Sequence, residues 1–292
     1  MSVSTGAIPV FYTPKMLADS LSFSPSSMKP EKVVDAWKQL GIPLDICEPD
    51  PVSVNELALA HERSFVEAVL AGNAKNGFEN EDLKIAFTLP YTSGSMRAAA
   101  FAALENGAVA VSPTSGFHHA HWDMASGFCT FNGLMVAAQC LLKKGKAKRI
   151  GIVDCDYHYG NGTDHIIDEL NLLKEIKHFT AGKSFHYAKQ RQEFFEWLHE
   201  VMVFMSDCDI ILYQAGADPH VDDPLGGFLT TEEMYQRDLL VFKACKQRGI
   251  PIAWNLAGGY QLLDDGKMTN WEALTEIHSN TMKACWEVFG SQ

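Results

Sequence analysis

The apolar positions of this chain recur in two rhythms. Four short runs are apolar on both faces: AVAV at 108–111, IGIVDC at 150–155, IILY at 210–213 and PIAWNL at 251–256. Runs of that length without alternation suit strands of a parallel sheet that helices cover on each side. Between them the spacing is helical. Ser53 with Glu56 forms a capping box that opens a helix through about Leu70, and Thr230 with Glu233 opens another through about Gln247. The stretch 90–95, with its Pro, Gly and Ser residues, reads as a loop leading into a helix. This succession predicts an α/β protein: a three-layer α/β/α arrangement about a central, mainly parallel sheet.

Composition narrows the class. A chain of 292 residues, 47% of them hydrophobic and free of heptads, repeats and low-complexity tracts, is expected to fold as a single domain over 1–292. Its net charge of −12 argues against a phosphate-binding surface, so no nucleic-acid partner is expected. The seven cysteines are scattered and form no C-x-x-C pair, which suits buried thiols in a reducing compartment. The amino-terminal MSVSTGAIPVFYTP lacks the features of a secretory signal, and no apolar run is long enough to span a membrane. A soluble, cytoplasmic protein is the expectation, with its oligomeric state left open.

Chemistry enters at VDCDYHYGNGT, residues 153–163, where Asp156 and His158 stand two apart at the end of an apolar run. On a strand such residues share a side, and oxygen with nitrogen donors suits a divalent ion such as zinc. A third ligand must come from elsewhere. The run at 210–215 ends in GADPH, placing Asp218 just beyond a second strand, at the sheet edge where open α/β folds bind ligands. Singly, each of these residues reads more simply as a cap or a core residue; together they read as a metal site.

Four blocks then carry a resemblance: SGFHHAHWDMASGFCTFN at 115–132, DCDYHYGNGT at 154–163, AGADPHVDDPLGG at 215–227 and LAGGYQ at 256–261. In this order the chain resembles the histone deacetylase family, of arginase/deacetylase-like fold, over roughly 87–289; the first eighty or so residues match only loosely. The resemblance implies that Asp156, His158 and Asp218 bind zinc, with iron or cobalt as alternatives for the same ligands. Zinc would polarise an amide carbonyl and lower the pKa of its water to about 7. It implies His119 as the main general base and acid, and His118 as its neighbour that tunes the electrostatics. Asp154 and Asn161 are the respective partners that orient the two rings. Tyr260 would donate a hydrogen bond to the developing alkoxide. Gly127, Phe128 and Leu225 match positions that line a narrow tunnel, whose second aromatic wall would be Phe179 or Phe185. A potassium site is also implied, using Asp156 and the main chain of Asp154 and His158, with a further ligand from the shortened segment 177–187 left unplaced.

The implied reaction is deacetylation of acetyl-lysine or of a small acetylated amine. The segment TLPYTSGS at 88–95 lacks the acid that grips peptide substrates in relatives, which favours a small amine such as an acetylpolyamine. Two other readings stand beside it. A two-manganese ureohydrolase needs further carboxylates where this chain has Gly160 and His220. A non-catalytic binder of acyl ligands would be signalled by loss of a catalytic residue, and none is lost. His61, His165, His199 and His278 fall within helical patterns, whereas His121 and His220 lie near the expected mouth. Cys129 lacks a dedicated base and is not expected to be a nucleophile.

Overall fold

In the computed structural model, which describes residues 6–290, the apolar runs become strands of one sheet. In chain order the elements are β1 (Ile8–Phe11), α1 (Lys29–Lys38), β2 (Leu44–Cys47), α2 (Val54–Leu57), α3 (Arg63–Leu70), α4 (Leu83–Asn106), β3 (Val109–Ser115) and α5 (Gly133–Lys143). They continue with β4 (Ile150–Asp154), α6 (Asn161–Glu169), β5 (Ile176–Thr180), α7 (Arg191–Phe204), β6 (Ile210–Gly216), α8 (Thr231–Arg248), β7 (Ile252–Ala257) and α9 (Trp271–Phe289). The seven strands run in the order β2-β1-β3-β7-β6-β4-β5, and every pairing is parallel.

Alternation along the strands divides the interior into two layers. Ile211, Tyr213, Ile252 and Trp254 face one side, where they pack with residues of α1, α7, α8 and α9. Ile210, Leu212 and Ala253 face the other and pack with α3, α4, α5 and α6. Burying each large apolar side chain in this way contributes about 1.5–3 kcal/mol, which is why the strands read as unbroken apolar runs. The expected three-layer α/β/α fold is what forms.

Two local expectations need correction. Residues 53–70 do not make one helix: the Ser53–Glu56 capping box is present, but α2 ends at Leu57, and α3 begins only at Arg63. His61 sits in the break, where its Nδ1 donates to the His121 carbonyl and its Nε2 accepts from Asn132 N, both at 2.8 Å. The stretch 90–95 is not a loop but the interior of α4, which carries Pro90. The carbonyl of Pro90 is put to use by Val52 N at 2.9 Å, so the irregularity docks the segment before α2. Among the described residues, no helix is long and apolar enough to cross a membrane.

β3 and β4 are consecutive in the chain yet separated in the sheet by β7 and β6. Loops leaving these four strands therefore open at the same carboxyl edge, the region where parallel sheets place ligands.

Candidate active site

β4 ends at Asp154, so Asp156 and His158 stand in the turn beyond it rather than on the strand itself. The turn is what brings them together. His158 N donates to Asp156 Oδ1 at 2.9 Å, and Tyr157 N donates to Asp218 Oδ1 at 3.0 Å, which ties the turn to the loop after β6. Asp156, His158 and Asp218 offer ligand atoms that all lie within 4.8 Å of one another. His158 Nδ1 is 2.8 Å from Asp218 Oδ2 and 3.3 Å from Asp156 Oδ1. Gly258 permits this closeness: a Cβ there would overlap the Asp218 carboxylate, and its φ of +50° belongs to the left-handed region.

Electrostatics separates the two acids. Burial alone would raise Asp156, but His118 and His158 outweigh it and hold the carboxyl well below its ordinary range. Asp218 moves the opposite way, pushed up by burial and then by the charge of Asp156. Two oxygens and a nitrogen at this spacing, two of the three groups acidic and buried, fit a divalent cation, because only a compensating positive charge makes such a cluster inexpensive to bury.

The tandem histidines follow β3 and meet their expected partners. His118 Nδ1 donates to Asp154 Oδ2 and His119 Nδ1 to Asn161 Oδ1, each at 2.7 Å. His118 thereby directs Nε2 toward the donor triad, 3.6 Å from Asp156 Oδ1, and the His119 ring stands 6.0 Å from that of His158. The partners set different protonation. Burial favours the neutral form of His118, yet Asp154 and Asp156 override it and raise the group to about 9. His119 is lowered to about 4 by burial and by the neighbouring His118, which outweigh the opposing pull of the Asn161 amide and the Asp156 charge. Adjacent titratable groups driven apart in this way are the arrangement acid–base chemistry uses.

Gly127 and Phe128 close the site from the side. A Cβ on Gly127 would come within 2.5 Å of the His119 ring, so the ring requires glycine there. Phe128 has φ +63°, a strained conformation for a side chain of its size, held because Ser126 N and Phe128 N are bonded to Cys129 O and Gly77 O at 3.0 Å each. Its ring lies 5.8 Å from Tyr260, 6.0 Å from Phe78 and 5.4 Å, edge-on, from Phe23. Tyr260 is held through its own N–H, which donates to Asp223 Oδ2 at 2.7 Å. Burial and then the charges of Asp218 and Asp156 push its phenol well above the ordinary value, so it stays protonated and able to donate. One small cavity is lined by His118, His119, Gly127, Phe128, Asp156, His158, Gly258 and Tyr260.

The remaining expectations fare differently. Leu225 is 41% exposed on the loop after β6 and does not line that cavity. Neither candidate for the second tunnel wall is there: Phe185 is in the core against Phe194 and Trp197, and Phe179 packs on Phe204. They belong to β5 and the turn after it, whose side chains face the α7 layer. The rings that stand against Phe128 are instead Phe23 and Phe78, from loops before α1 and α4. His220 is spent on Thr231 Oγ1 and Asp222 N, at 2.9 and 3.2 Å. Cys129 is buried, and that burial pushes its thiol up to about 12.

Three residues escaped the sequence reading. Gln214, buried in β6, donates to Asp154 Oδ1 at 3.1 Å; a lone amide in the run IILYQAG was its only signal. Lys29, fully buried at the start of α1, donates from Nζ to the Gly258 carbonyl, and nothing in its local sequence marks it. His178 is the third: its side chain is 2% exposed and lies behind Asp154.

The chain is similar to known proteins over most of its length. The histone deacetylase domain matches residues 25–185 and 171–277. An uncharacterised protein of Picosynechococcus sp. is 32% identical over 228 residues, which cover 70% of this chain and 75% of that protein. Acetylpolyamine amidohydrolase of Mycoplana ramosa is 28% identical over 178 residues, 51% of this chain and only 50% of that enzyme. The crystal structure of the HDA15 HD domain superposes with a TM-score of 0.78 at 18% identity, covering 97% of this chain and 89% of that one.

Proposed function

The chain belongs to the histone deacetylase family, and from that membership and the geometry of its site we propose that it is a zinc-dependent amidohydrolase that removes acetyl groups from N-acetylated amines such as acetyl-lysine. The observation that carries this reading is the pair of histidines, each held at 2.7 Å by its own partner, beside a three-donor cluster.

Asp156, His158 and Asp218 would hold the ion, and a bound divalent metal supplies the Lewis acidity that polarises an acyl carbonyl and acidifies water. The protein's own groups do the rest. His119, neutral at working pH, accepts a proton at Nε2 while its Nδ1–H stays on Asn161, and it then returns that proton to the departing amine nitrogen. His118, held on Asp154, fixes the water's second hydrogen bond. Tyr260 donates from its phenol to the oxygen on which negative charge develops. Phe128 and Phe23 flank the alkyl chain and keep bulk water from it.

Substrate size is the open choice within this reading. The segment 88–95, expected at the rim, is interior to α4 and lines no part of the cavity, so its lack of a carboxylate does not decide between a small acetylated amine and a peptide. A binding role without turnover gains no support, because the histidine pair, the donor triad and Tyr260 all converge. A two-metal ureohydrolase gains none either: Asp156, His158 and Asp218 form the whole donor cluster among the described residues. Potassium remains a secondary proposal. Its support is the family resemblance, which would use Asp156 and the main chain of Asp154 and His158 as ligands.

The test is amine release by the zinc-loaded protein from acetyl-lysine peptides and acetylpolyamines side by side, with and without potassium. Tyr260→Phe should lower kcat about a hundredfold or more with metal content unchanged. Peptide turnover lost in the variant identifies a lysine deacetylase, and turnover of polyamines alone an acetylpolyamine amidohydrolase. No turnover of either class overturns the proposal.

A further inference from the structure

His178 stands on β5 in register with Ile152, on the far side of Asp154 from the cavity. Its Nδ1 is 2.7 Å from Asp164 Oδ1. Its Nε2 is buried with no hydrogen-bond partner, and the nearest acceptor is Asp154 Oδ2 at 3.9 Å. Gly160 leaves the space between them open: a Cβ there would fall 2.5 Å from Asp154 Oδ2 and 3.2 Å from His178 Nε2. An imidazole with a carboxylate at each nitrogen is satisfied only when both nitrogens carry protons, because a bare Nε2 would turn its lone pair on a carboxylate. Burial opposes that state, but the two carboxylates, Asp154 and the hydrogen-bonded Asp164, outweigh it and raise the group.

The oxygen that His178 faces is the one that accepts from His118 Nδ1. The other oxygen of Asp154 is held by Gln214 Nε2 and Asp156 N, both at 3.1 Å. Asp154 is thus hydrogen-bonded from His118, from β6 and from its own turn, and His178 faces it from β5 at 3.9 Å, close enough to act on the carboxylate through charge. Asp164, behind it on α6, is 31% exposed and accepts from the Tyr159 hydroxyl at 2.5 Å.

We propose that His178 is a positioning residue for the reaction: from behind Asp154 its ring acts through charge on the carboxylate that orients His118, and Asp164 holds His178 in turn. The result is a chain, His118–Asp154–His178–Asp164, running from the cavity to the surface. This inference rests on the proposed amidohydrolase reading for its kinetic consequence, but not for its geometric one.

The experiment compares the full-length zinc-loaded protein with His178→Phe, His178→Gln and Asp164→Asn. Three quantities are read: zinc content, kcat and KM separately, and the far-downfield proton NMR signal of the His118–Asp154 hydrogen bond. His178→Phe should lower kcat about tenfold, the scale of lost support behind an active group, while KM and zinc content hold and the downfield signal moves. His178→Gln, which keeps a donor, should recover part of kcat, and Asp164→Asn should shift kcat and signal in the same direction by less. An unmoved signal with kcat unchanged in His178→Phe overturns the proposal, as does a fall in zinc content that tracks the fall in kcat. Should His178→Phe fail to fold, Asp164→Asn carries the test, because it touches neither Asp154 nor a metal ligand; an unmoved signal there overturns the proposal equally. A wild type that turns over nothing sinks the hydrolase reading, and the signal still decides the role of His178.

Discussion

At the floor of the site Asp154, Asp218 and Gln214 are 0% exposed and His118 only 3%, whereas at the mouth Phe23 is 70% and Leu225 41% exposed. The floor is made of charges and amides, each with a designated partner, set on the ends of four parallel strands. The mouth is made of aromatic rings from loops, Phe23 meeting Phe128 edge-on and Phe78 lying tilted against it. In a buried setting an unpaired charge costs so much that geometry is forced to be specific, and removal of one member leaves its partners exposed to that cost. In a half-solvated setting no single contact is obligatory, so the mouth is expected to tolerate change. Damage to the floor should abolish chemistry, and damage to the mouth should retune it.

The sharpest test of that contrast is Asp218→Ala. It removes one of three donors and leaves His158 Nδ1 and Tyr157 N without their closest acceptor. Zinc content measured on the purified protein should fall at least about tenfold and turnover should vanish with it, since ligand loss in a three-donor site is not compensated. Full zinc loading in this variant would mean that the ion sits elsewhere and would break the distinction at its centre.

The same contrast explains what the chain alone could tell. The floor was legible because its residues lie at fixed short spacings beside strands: D-x-H after β4, tandem His after β3, a lone Asp after β6 and GGY after β7. Strand ends in a parallel sheet are placed by topology, so the order of blocks already brings them to one edge. The partners Asp154 and Asn161 came from the family resemblance that these blocks carry, not from their spacing. The mouth was not legible, because Phe23 and Phe78 come from loops whose course depends on what they pack against, and proximity to Phe128 is encoded in no spacing. Phe179 and Phe185 misled for a related reason: alternation on β5 and in its turn assigns them to the α7 layer, and that assignment depends on a register the chain does not display. The loop expected at 90–95 failed because Pro90 is accommodated within α4, whose length is set by packing against β3 and α5.

A second, smaller effect comes from beneath the floor. His61 is 0% exposed and bridges the His121 carbonyl and Asn132 N, so its tautomer is fixed as Nδ1–H with Nε2 accepting. Burial holds it neutral and lowers it from 6.5 to about 4. The sign follows from linkage: above 6.5 neither state binds the proton and the contribution is fully present. As pH falls toward 4 the unfolded chain gains a proton that the fold refuses, and stability is lost. At about 1.4 kcal/mol per tenfold in proton affinity, the loss approaches 3 kcal/mol by pH 4. Urea unfolding across this interval should show the wild type losing that much more than His61→Gln. Parallel curves would mean that His61 already carries its proton in the fold, and that the floor rests on something else.

The smallest effect should be at the mouth. Phe23 meets Phe128 edge-on at 5.4 Å, a contact worth about 0.5–1.5 kcal/mol, or a factor of a few up to about tenfold. With its ring 70% exposed, Phe23→Ala removes little buried area, and Tm should stay essentially where it is. If the ring flanks the alkyl chain of the substrate, KM should rise by that same factor with kcat unchanged, because the wall is touched equally in the ground and transition states. A fall in kcat at constant KM would instead couple Phe23 through Phe128 to Tyr260, 5.8 Å farther on, and the mouth would then belong to the catalytic floor after all.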